Sequence, residues 1–199
     1  GYAASGRRAE AVEAGARGIA LEPHHPNVRT SQAWAYLFTN DYETGARLLE
    51  KAIEVGPTAG YAHWSYGLAL RYAGRVRESL PVFERLVDGT SGKVPLYVSL
   101  LGAALAEIGE KSRAEEILAD LAARRSQGDY VPSIDLATIQ TALGDHDAAL
   151  DALEHGREER NGLMWGRIHM HDFIALRTYP RWIALAQRLG RTAPWVWEG

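Results

Sequence analysis

The stretch His169-Met170-His171-Asp172 carries two imidazoles and a carboxylate within four residues, the donor types that bind zinc or copper. Residues two apart point to different sides of a helix, so His169 and His171 converge on one ion only from an extended or turned backbone. No third ligand is indicated, and solvated or hydrogen-bonded loop residues are the plainer reading. Residues 89–94, GTSGKV, contain a Gly-Lys pair but lack the earlier glycine and the following hydroxyl residue of a phosphate-binding loop. The chain has no Gly-x-Ser-x-Gly elbow and no His-Glu-x-x-His pair. His24 and His25 follow Pro23 in a turn and are expected to be exposed. His63 occupies a slot where a packed side chain is expected, and His146 and His155 lie too far apart along one helix to share a ligand. The Glu115–Glu116 and Glu158–Glu159 pairs read as solvated helix faces. No catalytic residue, metal or cofactor is expected.

The bulk composition agrees with that negative. The chain has 199 residues, 46% hydrophobic and 24% charged, enough for one sizeable core or one repeat array. A net charge of -3 offers no electrostatic footprint for nucleic acid or an acidic membrane. With no cysteine there is neither a disulfide nor a thiolate metal site. The most apolar stretch, residues 96–108, is too short to span a bilayer.

What organises the chain is a repeat. Gly6, Asn40, Gly74, Gly109 and Gly144 follow one another at steps of 34, 34, 35 and 35. Seven residues before four of these turns stands a small residue: Ala33, Gly67, Gly102 and Ala137. Five residues after the turns stands another: Ala11, Gly45, Ser79, Ala114 and Ala149. Leu49, Phe83, Leu118 and Leu153 follow at helical spacing and face back onto the first helix of each pair. Pro23 and Pro57 close the first two units, where proline cannot continue a helix. A glycine inside a helix costs roughly 1 kcal/mol relative to alanine. Gly67 is therefore expected where paired helices approach closely, and Gly74 where a left-handed residue ends a helix. Helices are expected at 7–22, 27–40, 43–56, 60–73, 76–89, 94–108, 111–125, 130–143 and 146–160.

This pattern resembles the tetratricopeptide repeat (TPR) family over residues 1–160. The resemblance implies an all-α, right-handed solenoid of antiparallel helix pairs, about four and a half repeats long, with a C-terminal capping helix. The repeats are expected at 1–25 (truncated), 26–59, 60–93, 94–128 and 129–161, the capping region at 162–191, and a tryptophan-containing tail at 192–199. Because Tyr2 already sits inside the repeat phase, the chain is expected to be cut from a longer array or a larger protein. Phe173, Leu176, Arg177, Pro180, Arg181 and Trp182 are similar to the closing phrase of TPR regions in large bacterial signalling proteins. There such regions accompany winged-helix, kinase or adenylate cyclase domains and act as regulatory or partner-binding modules.

In a TPR array the first helix of each pair lines a concave groove. Repeat phase turns Asn27, Thr30, Trp34, Leu37 and Phe38 into it, followed by Tyr61, Trp64, Leu68, Arg71 and Tyr72. Farther along come Leu96, Ser99, Ala103, Ala106 and Glu107, then Val131, Ile134, Thr138, Thr141 and Ala142. The first half is aromatic and the second small and apolar, which predicts a protein or peptide partner with apolar anchors. Arg71 and Asn27 alone do not make a carboxylate clamp. Trp195 and Trp197 are expected to dock on the chain itself or on a second copy, and dimerisation at the N-terminal end is also open. The reading is a non-catalytic interaction module, the scaffold or regulatory part of a larger bacterial protein, without membrane insertion. Its expected compartment is the cytoplasm, or the periplasm if it belongs to a membrane-anchored regulator. The rival is an enzyme or small-ligand- or metal-binding protein with its site near His169–Asp172.

Overall fold

The computed structural model describes residues 7–159, 166–168 and 170–189, and within them all regular structure is helical. In chain order the elements are α1 (Arg8–Leu21), α2 (Pro26–Leu37), α3 (Tyr42–Val55), α4 (Gly60–Tyr72) and α5 (Val76–Gly89). Next come α6 (Pro95–Glu107), α7 (Lys111–Ser126), α8 (Ser133–Leu143) and α9 (His146–Glu158). A 3₁₀ segment (His171–Leu176) and α10 (Pro180–Arg188) close the described chain. Tyr2, Gly6, His169, Trp195 and Trp197 lie outside the described residues.

The same device ends the first helix of each complete pair. Asn40, Gly74, Gly109 and Gly144 all adopt positive φ, at 60°, 79°, 91° and 86°. The following amide then reaches back to a carbonyl five residues earlier: Asp41 to Tyr36, Arg75 to Leu70, Glu110 to Leu105 and Asp145 to Gln140, at 2.9–3.0 Å. That bond satisfies a carbonyl the helix leaves open. Two of the second helices, α3 and α9, start on side-chain caps. The Asp41 carboxylate accepts from the Thr44 amide at 3.3 Å, and the Asp145 carboxylate accepts from the Ala148 amide at 3.2 Å. Exposed His25 does the same for α2, accepting from the Asn27 amide at 3.2 Å, ahead of Pro26 in the first helical turn.

The start of α8 differs from the sequence expectation. Pro132 disfavours helical backbone in the residue before it, so the helix begins at Ser133 rather than near 130, and Val131 is not a helical groove position.

The chain gathers into two compact units, the described residues up to Leu86 and those from Val87 onward. In the first, α2 packs on α1, α3 and α4, and α3 packs on α4. Ala33, Leu37, Ala46, Leu49 and Ala69 form its seam. Phe83 is fully buried, and a Cβ added at Gly67 would lie 2.5 Å from its Cε1. The glycine thus admits an aromatic ring from the second helix of its pair, whereas the spacing alone suggested a close approach of backbones.

In the second unit α6 packs on α7 and α8, and α8 on α9. A Cβ at Gly102 would meet Ile139 Cδ1 at 3.0 Å and Ile117 Cγ2 at 3.1 Å, again side chains. Leu118 is only half-buried, and Leu121, one turn on, is the fully buried leucine of α7. Beyond the repeats, the 3₁₀ segment packs on α8 and α10 on α9. Phe173, Leu176, Trp182 and Leu185 join Ile134, Leu150 and Leu153 in one buried cluster. Arg181 fixes α10 to α9 through Asp151 at 2.5 Å and Glu154 at 2.9 Å.

Glu159, far from a solvated helix face, closes the second hairpin of this unit. Its carboxylate accepts from the Ser133 amide at 3.0 Å, the Ser133 hydroxyl at 2.7 Å and Arg125 at 2.6 Å. It therefore caps α8, whose own cap position is Pro132 and offers no side-chain acceptor. Burial pushes the carboxyl upward, but the Ser133 hydroxyl and amide and the Arg125 guanidinium outweigh it and hold Glu159 below its ordinary value. A depressed carboxyl stabilises the fold above its unfolded-state pKa, and that contribution is lost as pH falls through the folded value. Glu159→Gln should accordingly lower stability at neutral pH by about 1–3 kcal/mol. The wild-type and variant melting curves should converge as the pH is brought below about 4. Curves that stay parallel well below that pH would exclude this role.

Candidate functional site

The side chains with the strongest binding character gather on the first unit's inner helices. Trp34 on α2 and Phe38 at its C-terminal cap lie one turn apart, and Tyr61 and Trp64 lie one turn apart on α4, so direct packing of α2 on α4 brings all four together. Trp34 is the hub. Its ring centre is 5.3 Å from that of Phe38, 5.7 Å from Trp64 and 6.5 Å from Tyr61, to which it lies nearly parallel at 12°. Tyr61 and Trp64 are 5.7 Å apart. The four residues are half-buried.

The polar edges of the cluster are unequal. Trp34 Nε1 donates to Ser65 Oγ at 3.0 Å, and that hydroxyl donates to the Tyr61 carbonyl at 2.8 Å. Trp64 Nε1 is buried and has no hydrogen-bond partner. An indole N–H left this way forgoes about 1–3 kcal/mol of hydrogen bonding. Burial pushes the Tyr61 phenol up, so it stays a neutral donor.

The other expected groove positions separate from this patch. Asn27 is exposed at the start of α2. Thr30, Leu37, Leu68, Arg71 and Tyr72 are buried; Leu37 packs toward Gly45 of α3, and the Tyr72 ring centre lies 5.5 Å from that of Tyr42 on α3. Thr30 satisfies its hydroxyl on the Pro26 carbonyl at 2.9 Å. The Arg71 guanidinium carbon lies 5.7 Å from the centre of the Tyr72 ring.

In the second unit most of the expected inner positions are covered, although Leu96 and Ala142 are half-buried and Glu107 is exposed. Ser99, Ala103 and Ala106 of α6, Ile134, Thr138 and Thr141 of α8, and Val131 just before it, are all buried. Among them sit two charged groups that sequence reasoning missed, Asp135 at 1% exposure and Arg167 at 4%. Arg167 pairs with the Asp135 carboxylate and donates to Thr138 Oγ1 at 3.0 Å. The one signal for Asp135 was a lone carboxylate inside the otherwise uncharged helix SIDLATIQTAL. Nothing in the repeat phase pointed to Arg167, which lies outside it.

Of the rival metal stretch, His171 opens the 3₁₀ segment and Asp172 is buried. Among the described residues no three His, Asp or Glu side chains gather as a metal cluster. His63 Nδ1 hydrogen-bonds the Ala59 carbonyl at 3.1 Å, and His146 shares a 2.9 Å hydrogen bond with the Tyr179 hydroxyl.

A tetratricopeptide repeat family model matches residues 30–95 and 67–130. The chain belongs to the tetratricopeptide repeat family. Helices α2 to α7 are thus TPR pairs by sequence as well as by shape, and the chain is an all-α helical-repeat solenoid. A TPR chain of this kind typically serves as a protein-interaction scaffold. Among solved structures it resembles a chain in the crystal structure of the APC/C hetero-tetramer Cut9–Hcn1, with a TM-score of 0.63 and 14% sequence identity. That likeness covers 94% of this TPR chain and 37% of the other, and it speaks for the fold alone. No curated protein matches. No described helix is long and apolar enough to cross a membrane.

Proposed function

We propose that this TPR chain is a non-catalytic interaction module and that its partner surface is the aromatic face of α2 and α4. The observation that supports this reading is the contiguous set Trp34, Phe38, Tyr61 and Trp64, with ring centres 5.3–6.5 Å apart. The occupant is a peptide segment of another protein with apolar anchors. Its apolar side chains would cover the rings. Aromatic side chains on a rigid helical surface supply most of the energy in such contacts. We read the chain further as the scaffold or regulatory part of a larger bacterial protein. The Phe173–Trp182 phrase supports this: its Phe173, Leu176 and Trp182 are buried against α8 and α9, as a closing segment requires.

The test is a peptide selected from a random library on the intact chain, then titrated into wild type and a Trp34→Ala/Trp64→Ala variant. The variant should lose binding, by about a hundredfold or more, while its far-UV circular dichroism stays that of the wild type. Equal affinity of a folded double variant rejects the aromatic face as the partner surface.

A further inference from the structure

The second unit holds a buried polar group of a different chemistry. Ser99 on α6 and Thr138 on α8 occupy positions that the repeat phase turns toward the inner face, and Asp135 stands one turn before Thr138. Together they form a small buried polar set: the Ser99 hydroxyl donates to the Leu96 carbonyl at 2.9 Å and lies 3.4 Å from Asp135 Oδ1, and Thr138 Oγ1 is already committed as a donor to the Ile134 carbonyl at 2.8 Å. With its proton so placed, Thr138 Oγ1 faces Arg167 as an acceptor. One nitrogen of the Arg167 fork goes to Asp135 and the other to Thr138, and the neighbouring Ile168 is fully buried in the unit's apolar cluster.

Both acceptors lie on one repeat helix, α8, whereas the guanidinium comes from a segment outside the repeats. A buried ion pair is weak grounds for stability, since well-packed apolar residues of the same volume do as well or better. A carboxylate and a hydroxyl spaced for the two arms of a guanidinium do select one ligand, because a lysine ammonium cannot reach both with the same geometry. We infer that the inner face of α8 is an arginine-recognition site. The chain's own Arg167 holds it, and the arginine of a peptide segment with a following apolar residue enters when Arg167 leaves. This inference is independent of the aromatic face in the first unit.

The probe is the pentapeptide acetyl-Gly-Arg-Ile-His-Met-amide, the sequence of residues 166–170, titrated calorimetrically into the full chain. Arg167→Ala should bind it. Wild type should bind at least about tenfold more weakly, because its tethered arginine competes at high effective concentration. Arg167→Ala/Asp135→Asn should lose the binding, and a peptide with lysine for arginine should bind the single variant at least about tenfold more weakly. Trp34→Ala/Trp64→Ala/Arg167→Ala should bind like Arg167→Ala, which separates this site from the aromatic one. Equal binding to wild type and Arg167→Ala, binding retained without Asp135, or no binding to folded Arg167→Ala overturns the inference. If Arg167→Ala does not fold, Arg167→Lys, which keeps the charge, must meet the same criteria. Failure of both variants to fold marks the pair as purely structural and overturns it too.

Discussion

Asp135→Ala lowers the stability of the chain by about 3–5 kcal/mol, the expected result of leaving a guanidinium buried without its counter-charge. Arg167 is 4% exposed and has its carboxylate partner on α8, so it cannot recover hydration without leaving the apolar cluster around Ile168, Ile134 and Phe173. The paired change Asp135→Leu/Arg167→Met removes both charges at similar volume and should restore most of the loss, to within about 1–2 kcal/mol of wild type. Urea denaturation of the three proteins, with unfolding midpoints and slopes compared, reads this directly. A single variant within about 0.5 kcal/mol of wild type would show that the pair is solvated, which is incompatible with its burial.

The second large effect lies at the Gly67–Phe83 contact. Phe83→Ala should cost about 3–5 kcal/mol, because a fully buried ring leaves a cavity between α4 and α5. Gly67→Ala is the sharper test. Helix propensity alone would make it stabilising by about 1 kcal/mol. The new Cβ, however, would stand 2.5 Å from Phe83 Cε1 and 2.9 Å from Cζ, so the expected outcome is a loss of about 1–3 kcal/mol. Combining Gly67→Ala with Phe83→Leu should destabilise less than the sum of the single changes, since the smaller side chain vacates the space the methyl needs. Strict additivity in thermal or urea melts would mean that the two positions do not share a seam.

These two contacts differ in how they stood in the sequence. Gly67 and Phe83 each occupy a recurrent slot of the repeat, so their burial in a helix-pair seam was legible from spacing alone. Only their direct partnership, ring against glycine, needed coordinates. Asn40 and Gly74 were legible for a different reason. A left-handed residue at a helix end is a local requirement of the backbone, and few residue types meet it at low cost. Asp135 and Arg167 were illegible because they are 32 residues apart, on a repeat helix and on a segment with no repeat phase. The same holds for Glu159, which looked like half of a solvated pair and instead caps α8.

The candidate site shows the same division. Trp34, Phe38, Tyr61 and Trp64 share the inner-helix phase, and the structure brings their rings together. Thr30, Leu37, Leu68, Arg71 and Tyr72 share that phase as well, yet they are buried. Periodicity reports which side of a helix a residue takes, but not how near the next helix comes.

From its residue order alone the chain is committed to helix pairs of 34–35 residues, their caps and their packing slots, because each of these is a short-range requirement repeated in phase. Which inner positions stay open and which charges meet under cover was decided by tertiary packing. Those outcomes depend on distances between helices and on a segment beyond the repeats, and no local rule encodes either.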